Sequence, residues 1–251
     1  MPTTNMQIFY GFDNITLERP TVVSVGSFDG VHRGHRELLE RVRSVAHELD
    51  ALSVVVSFEP HPRIAMGRAE GMRLLTSVEE RALLLEREGV DIFVVAHFDD
   101  KFREQTFEEF VRGSLVAKLG MRGMVVGYNH RLGRGSEGSY ESLVPLGAKL
   151  GFRVERVEQF TASGDKVSST VVRNLFDQGD VERACDTLGH RYIVMGTAHE
   201  GVLAVADEYK LIPADGEYRV AILGHGEDVV RIAEGRILVD KSLNGEIILE
   251  F

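Results

Sequence analysis

The stretch TVVSVGSFDGVHRGHRELLERVRSVAHEL, residues 21–49, decides the fold class of this protein. Its first six residues are a β-branched run that ends at a glycine, which predicts a buried strand. From about Gly34 to Leu49 the apolar residues recur on one face, which predicts a helix. A strand that leads through a loop into a helix is the repeating unit of parallel α/β sheets.

The same alternation continues to about Val157. Further strands are predicted over 52–58, 91–97, 124–127 and 152–157, and further helices over 77–88, 106–119, 140–150, 171–178 and 181–188. Five strands that alternate with helices predict an α/β fold with a doubly wound parallel five-stranded sheet. The ligand site of such a sheet lies beyond the carboxyl ends of its strands.

Beyond about Gly189 the pattern changes to short apolar stretches that are separated by glycines and acidic turns. These stretches are residues 192–195, 202–206, 218–223, 229–233, 237–239 and 247–251. They predict a small C-terminal antiparallel β domain. We therefore expect two domains, residues 1–188 and 189–251.

Charge and composition narrow the range of partners. The 29 basic and 39 acidic residues give a net charge of −10, which argues against nucleic acid or an anionic membrane surface as the main partner. Cys185 is the single cysteine, as is typical of a reducing compartment. Residues 1–17 lack the pattern of a signal peptide, and no apolar run approaches the roughly 20 residues of a membrane span. We expect a cytoplasmic protein that binds small molecules, and its oligomeric state stays open.

The loop between the first strand and the first helix reads GSFDGVHRGH, residues 26–35. Its glycines allow a close approach of the backbone to a ligand, and the helix start offers free N–H groups. His32 and His35 are three residues apart, so both rings can face one anion. The loop therefore predicts a phosphate site. The alternative is a turn with two solvent-exposed histidines.

A second candidate phosphate site is VSSTVVR, residues 167–173, where three hydroxyls open a helix and Arg173 follows. Hydroxyl and guanidinium donors at a helix start suit the outer phosphates of a nucleotide. A simple helix cap is the alternative interpretation.

Two further loops follow strands of the predicted sheet. FEPHP, residues 58–62, follows the second strand, and GYNHRLGRGSEG, residues 127–138, follows the fourth. Each could equally be a structural turn. All four loops lie on one edge of the predicted sheet, however, which favours a common ligand site.

These motifs, together with LLTSVEER, HFDDKF and TFEEFV, resemble in order and spacing the FMN adenylyltransferase module of the bacterial bifunctional riboflavin kinase/FMN adenylyltransferases, or FAD synthetases. The resemblance covers about residues 18–188. It implies the Rossmann-like fold of the HxGH nucleotidyltransferases and transfer of AMP from ATP to FMN, so FMN is a substrate, FAD is the product and Mg²⁺ accompanies ATP.

The resemblance also implies roles for individual residues. The catalytic residues it implies are His32, His35 and Arg173. The ATP-binding residues it implies are Gly26, Ser27, Phe28, Asp29, Gly30, Gly34, Ser168, Ser169 and Thr170. The FMN-binding residues it implies are Phe58, Pro60, His61, Pro62, Tyr128, Asn129 and Arg131. No metal-ligating residue is expected, and Asp29 is expected to fix the loop rather than act as a base. Leu132 stands where relatives have an aromatic residue, and Asn129 where they have Asp or Asn.

The C-terminal part is similar to the start of a riboflavin kinase domain, with YIVMG at 192–196 and KLIPADGEYRV at 210–220. Residues 197–209 between them lack the GRxLGFPTAN segment that would build the kinase's ATP and magnesium site. We therefore expect a β-barrel remnant without kinase activity, and a chain ending near Leu188 is expected to keep its ATP and FMN sites.

Two alternatives remain. One is a non-catalytic flavin-nucleotide-binding or regulatory protein. The other is an HxGH nucleotidyltransferase that acts on a different phosphorylated acceptor, such as pantetheine phosphate, nicotinate mononucleotide or glycerol phosphate.

Overall fold

A computed structural model describes residues 6–162 and 165–251 of the protein. These residues form two compact units, each with its own hydrophobic core. The first, called the sheet unit, comprises residues 6–28, 35–70 and 82–160. The second, called the barrel unit, comprises residues 29–34, 71–81 and 161–251 apart from 163–164.

The sheet unit is built on parallel strands. They are β1 (Gln7–Tyr10), β2 (Thr21–Val25), β3 (Leu52–Glu59), β4 (Ile92–His97), β5 (Met121–Gly127) and β6 (Arg153–Val157). Their order is β1-β4-β3-β2-β5-β6, and every neighbouring pair is parallel. Because β3 lies on one side of β2 and β5 on the other, the winding reverses at β2, as in doubly wound folds.

The helices before residue 161 connect these strands. They are α1 (Arg33–Glu48), α2 (Pro62–Ala65), α3 (Val78–Arg87), α4 (Asp100–Glu104), α5 (Phe107–Phe110) and α6 (Tyr140–Leu150). After α5 the chain continues as a π-helical segment, Val111–Val116, so the helix predicted over 106–119 is not a regular α-helix. Gly113, a residue of low helix propensity, lies within that segment.

The predicted doubly wound sheet is confirmed, with one strand more than the five expected. The additional strand is β1, which pairs with β4 at the edge of the sheet. It has only four residues, and Tyr10 is 74% exposed. It therefore lacks the longer buried run that marks β2, β3, β4 and β5 in the sequence.

The barrel unit contains the hairpin β7 (Thr161–Ala162) and β8 (Asp165–Lys166), two helices and a closed antiparallel barrel. The helices are α7 (Ser169–Asp177) and α8 (Val181–Leu188). The barrel strands are β9 (Ile193–His199), β10 (Val202–Ala204), β11 (Gly216–Ile222), β12 (Gly226–Ala233), β13 (Arg236–Leu238) and β14 (Gly245–Glu250). They close in the order β10-β13-β12-β11-β14-β9, which confirms the small antiparallel β domain.

The packing units do not follow the domain boundary expected between residues 188 and 189. The apolar faces of α7 and α8 share one core with the barrel, and the rings of Phe176 and Tyr192 lie 4.3 Å apart. Residues 71–81 also belong to the barrel unit. A boundary at 188 stays a prediction, but it passes through a single hydrophobic core.

Within the part of the chain that the structure describes, no helix combines the length and the apolar character needed to cross a membrane.

The shared core adds a loss of stability to what is expected of a chain that ends after Leu188. Removing 189–251 uncovers the apolar faces of α7 and α8, so we expect the truncated chain to aggregate or to lose the folded state of residues 161–188. Soluble yield and thermal unfolding, compared with the full chain, measure this effect. A soluble 1–188 chain that unfolds cooperatively and binds ATP as the full chain does would show the opposite.

Candidate functional site

The Asp29 carboxylate organises the loop of residues 29–34 in the barrel unit. It is 1% exposed, and its Oδ1 accepts hydrogen bonds from the Leu75 N–H (2.8 Å) and the Thr76 N–H (3.0 Å). Its Oδ2 accepts from Nη2 of Arg173 at 2.5 Å. A buried carboxylate is stable only with such donors, so Asp29 fixes the loop and its oxygens face protein groups.

Gly30 and Val31 continue this loop in a tightly constrained backbone. Gly30 has φ +78°, and a Cβ there would lie 2.7 Å from Cδ1 of Leu75. Its N–H donates to Oγ1 of Thr76 at 3.1 Å. The buried Val31 has φ +38°, which is rare for a β-branched residue. The surrounding contacts therefore hold a conformation that the chain alone disfavours.

His32 directly precedes α1, in which Gly34 is the second residue and His35 the third. The His32 side chain is 7% exposed, and this burial lowers its pKa to about 4, although Asp29 and a backbone hydrogen bond act in the opposite direction. In the ligand-free chain His32 is thus a neutral imidazole at pH 7. It offers hydrogen bonds at the start of a helix, where backbone N–H groups also point outward.

The three hydroxyl residues at the start of α7 have different environments. Oγ of Ser168 accepts from the Val171 N–H at 3.4 Å, so the capping interpretation is right for this residue. Oγ of Ser169 donates to the Asp29 carbonyl at 2.9 Å. Thr170 is exposed. One hydroxyl thus caps the helix, one holds the loop, and one faces solvent.

Arg173 links α7 to the loop. Besides its contact with Asp29, its Nε donates to the Arg73 carbonyl at 2.6 Å. The side chain is about one-quarter exposed, and a guanidinium has five N–H donors. Two of its nitrogens are therefore engaged in fixing the loop, and the remaining N–H groups are the ones that could meet a phosphate.

In the sheet unit, the chain leaving β2 contains the other predicted ATP residues. The Gly26 N–H donates to the Val56 carbonyl at 3.0 Å, and the Ser27 carbonyl accepts from Oγ of Ser57 at 3.1 Å. The Phe28 ring is buried and lies 5.0 Å from the His35 ring, centroid to centroid. Phe28 thus supports the imidazole of His35, and its ring is not open to a ligand.

The FEPHP loop follows the neighbouring strand β3. Phe58 packs in an aromatic cluster, 5.8 Å from Phe98 and 5.1 Å from Phe102 between ring centroids. His61 caps α2, because its Nδ1 accepts from the backbone N–H of Arg63 at 3.2 Å. Pro62 is the first residue of α2, and Pro60 is half-buried. The ring of Phe58 therefore supports the loop through its packing in this aromatic cluster.

The loop after β5 is the third at this edge of the sheet. Tyr128 is 45% exposed, and Asn129 and Arg131 are also exposed, as ligand-binding residues can be. Burial lowers the pKa of His130 to about 4. Leu132 is buried in the core of the sheet unit. Leu132, which stands where relatives have an aromatic residue, therefore packs into this core.

Because β3, β2 and β5 are adjacent, the three loops follow neighbouring carboxyl ends at the point where the winding reverses. Ligands of doubly wound sheets bind at this place. The ligand-binding roles of the individual residues remain predictions.

A cleft of about 320 Å³ is lined in part by residues at the end of β4 and directly after it. No role was predicted for these residues from the sequence. The cleft is lined by Pro60, Ala65, His97, Phe98, Asp99, Asp100 and Arg103. Most of them belong to the HFDDKF motif, whose position directly after a buried strand was the available signal. Pro60 connects this cleft to the predicted FMN loop.

Among residues 6–162 and 165–251, no group of three or more His, Cys, Asp or Glu side chains is placed to hold a metal ion. Mg²⁺ commonly binds through substrate phosphates and one or two carboxylates.

The FAD synthetase family model matches residues 14–171. This range includes the loops that follow β2, β3 and β5, the first of which contains Asp29. The chain belongs to the FAD synthetase family. FAD synthetases are nucleotidyltransferases, so the expected enzyme class is confirmed.

Relatives in this family are about one-third identical to this chain in sequence. The bifunctional riboflavin kinase/FMN adenylyltransferase of Escherichia coli K12 is 30% identical, over 88% of this chain and 75% of its own length. A FAD synthetase of Listeria monocytogenes is 32% identical, over 80% of this chain and 81% of its own length. A crystal structure described as a macrolide-efflux protein from Streptococcus pneumoniae has a TM-score of 0.83 at 22% identity, over 98% of this chain and 90% of that chain. This last similarity shows the fold alone.

The neutral, buried His32 predicts a loss of stability in acid. Its pKa of about 4 in the folded chain is below the ordinary value of 6.5, so its contribution is fully present above pH 6.5 and is lost as pH falls toward 4. When the pH falls from 7 to 5, the free energy of unfolding of the native chain should decrease by about 2 kcal/mol more than that of the His32→Asn variant. Urea unfolding at both pH values measures the difference. His47→Asn, at an exposed position of α1, should behave as the native chain does, and an equal acid loss in His32→Asn would contradict the assignment.

Proposed function

We propose that this chain transfers the adenylyl group of ATP to FMN and thereby makes FAD and pyrophosphate. The observation that carries the proposal is the Asp29 network, which ties Arg173 and the start of α7 to the loop that presents His32. A neutral hydrogen-bonding imidazole, a guanidinium and two helix starts are suited to nucleotide phosphates. The family match covers residues 14–171, which include the FEPHP loop and the loop after β5 that we propose to bind the flavin nucleotide.

The reaction needs no general base. The terminal phosphate of FMN has a second pKa near 6, so it is mostly a dianion at pH 7 and can attack the α-phosphorus of ATP directly. An oxygen of FMN forms the new bond, the bond to the β-phosphate oxygen breaks, and pyrophosphate leaves with that electron pair. Catalysis then consists of positioning and of stabilising charge in the transition state.

His32, His35 and Arg173 are the residues proposed to stabilise that charge. Arg173 is cationic before ATP binds, whereas the buried His32 is neutral. The negative charge of bound ATP acts to raise the pKa of a neighbouring histidine, so His32 can become a stronger donor once the nucleotide is present. MgATP is the substrate in this scheme, and the ion neutralises part of the phosphate charge.

We also propose that the chain lacks riboflavin kinase activity. Residues 197–209 hold no GRxLGFPTAN segment, and β9 and β10 are joined by the two-residue turn Glu200-Gly201, with both φ angles positive. Such a turn is typical of a tight hairpin. The turn between β9 and β10 is too short to hold a nucleotide-binding segment. We expect the protein to act in the cytoplasm on small-molecule nucleotides, without nucleic acid.

Incubation of the full chain with MgATP and a flavin tests both proposals. FMN is expected to give FAD and pyrophosphate, and riboflavin is expected to give no FMN, with the products identified by chromatography. FMN made from riboflavin would contradict the second proposal. Binding of ATP and FMN without pyrophosphate release would indicate a regulatory binder, and turnover of another phosphorylated acceptor in place of FMN would indicate a different nucleotidyltransferase.

Substitution of the two histidines tests their proposed role. His32→Ala and His35→Ala are each expected to slow adenylyl transfer by about 100- to 1,000-fold while FMN binding changes little, because a donor to transition-state charge is lost. Initial rates and flavin fluorescence titrations measure the two effects. His47→Ala, at an exposed position later in α1, is the matched control. Slowing of less than about tenfold in both variants would place the ATP phosphates elsewhere.

A further inference from the structure

His190 lies between α8 and β9, outside every motif to which a role was assigned, and its ring contacts the loop of residues 29–34. Its Nε2 is 2.9 Å from the carbonyl oxygen of Gly30, and its Nδ1 is 2.8 Å from the carbonyl oxygen of Arg191. Both distances are those of ordinary hydrogen bonds.

The contact with Gly30 has one possible direction. A carbonyl oxygen only accepts hydrogen bonds, so Nε2–H of His190 is the donor to Gly30.

The contact with Gly30 fixes the peptide that leads to His32. The N–H of Gly30 is held by Thr76, and its carbonyl is held by His190, so both polar groups of this residue are anchored. The next residue is Val31, with its positive φ, and His32 follows. Loss of one anchor allows this strained segment to relax, and relaxation displaces the imidazole of His32.

We propose that His190 is a positioning residue for adenylyl transfer, whose Nε2–H holds the Gly30 carbonyl and so keeps His32 in its working orientation. The proposal rests on the proposed function, and it adds a residue of the C-terminal segment to the machinery of transfer. His190 itself touches neither the reacting atoms nor the nucleotide in this scheme.

The test compares His190→Ala and His190→Gln with the native full chain. Alanine removes the donor to Gly30, and kcat is expected to fall by about 10- to 100-fold, with KM for FMN little changed. Glutamine supplies an N–H donor without the imidazole ring. It is expected to restore most of kcat. His199→Ala, at an exposed position of β9, is the control.

Hydrogen exchange gives a readout that does not depend on activity. Peptides that cover residues 29–34 are expected to exchange faster in His190→Ala than in the native chain. His190→Gln is expected to restore the exchange of the native chain. His190→Phe, which keeps a ring but has no N–H donor, gives the same comparison if the alanine variant does not fold.

Each outcome is decisive. Unchanged kcat and unchanged loop exchange in His190→Ala would overturn the proposal, and a His190→Gln variant that restores neither would overturn the role of the N–H donor. If the native chain makes no FAD, the proposed function fails. The exchange data then still show whether His190 holds the loop.

Discussion

The buried carboxylate of Asp29 is the constraint on which the candidate site depends. A carboxylate removed from water must receive hydrogen bonds or charge, and Asp29 receives them from the backbone of residues 75–76 and from Arg173. These donors come from two different segments of the barrel unit. One desolvated group therefore fixes the distance between the His32 loop, the segment before α3 and the start of α7.

The segment that supplies the Leu75 and Thr76 donors is itself held by a buried cation. The three donors of the Lys210 ammonium reach Leu75 O (2.7 Å), Ile193 O (2.7 Å) and Oε2 of Glu80 (2.6 Å). Burial lowers the pKa of Lys210, and Glu80 acts to raise it. Removal of either Lys210 or Glu80 would leave an uncompensated buried charge. The Lys210–Glu80 pair therefore holds residues 71–81 against the barrel. The barrel thus supports the nucleotide loop whether or not it has an activity of its own.

Much of the fold was predictable because it is encoded locally. The runs at 52–58 and 91–97 are apolar nearly throughout, as strands covered on both faces are, and each is a buried strand of the sheet. The six C-terminal stretches are the six barrel strands. The short edge strand β1 was missed because an exposed edge needs no continuous apolar run. The motif loops were recognisable because glycine, proline and histidine at strand ends have few other uses.

The sequence by itself determined the order of strands and helices, the family and the set of loops at the carboxyl ends of the strands. Only the tertiary structure decided which member of each motif faces solvent, since hydrogen-bond partners far apart in the chain are not encoded by spacing. It turned the rings of Phe28 and Phe58 into buried supports, joined Ser169 to the Asp29 carbonyl, and brought His190 to Gly30, 160 residues away. Periodicity records which residues are buried, whereas the identity of a buried residue's neighbour arises only when the chain has packed.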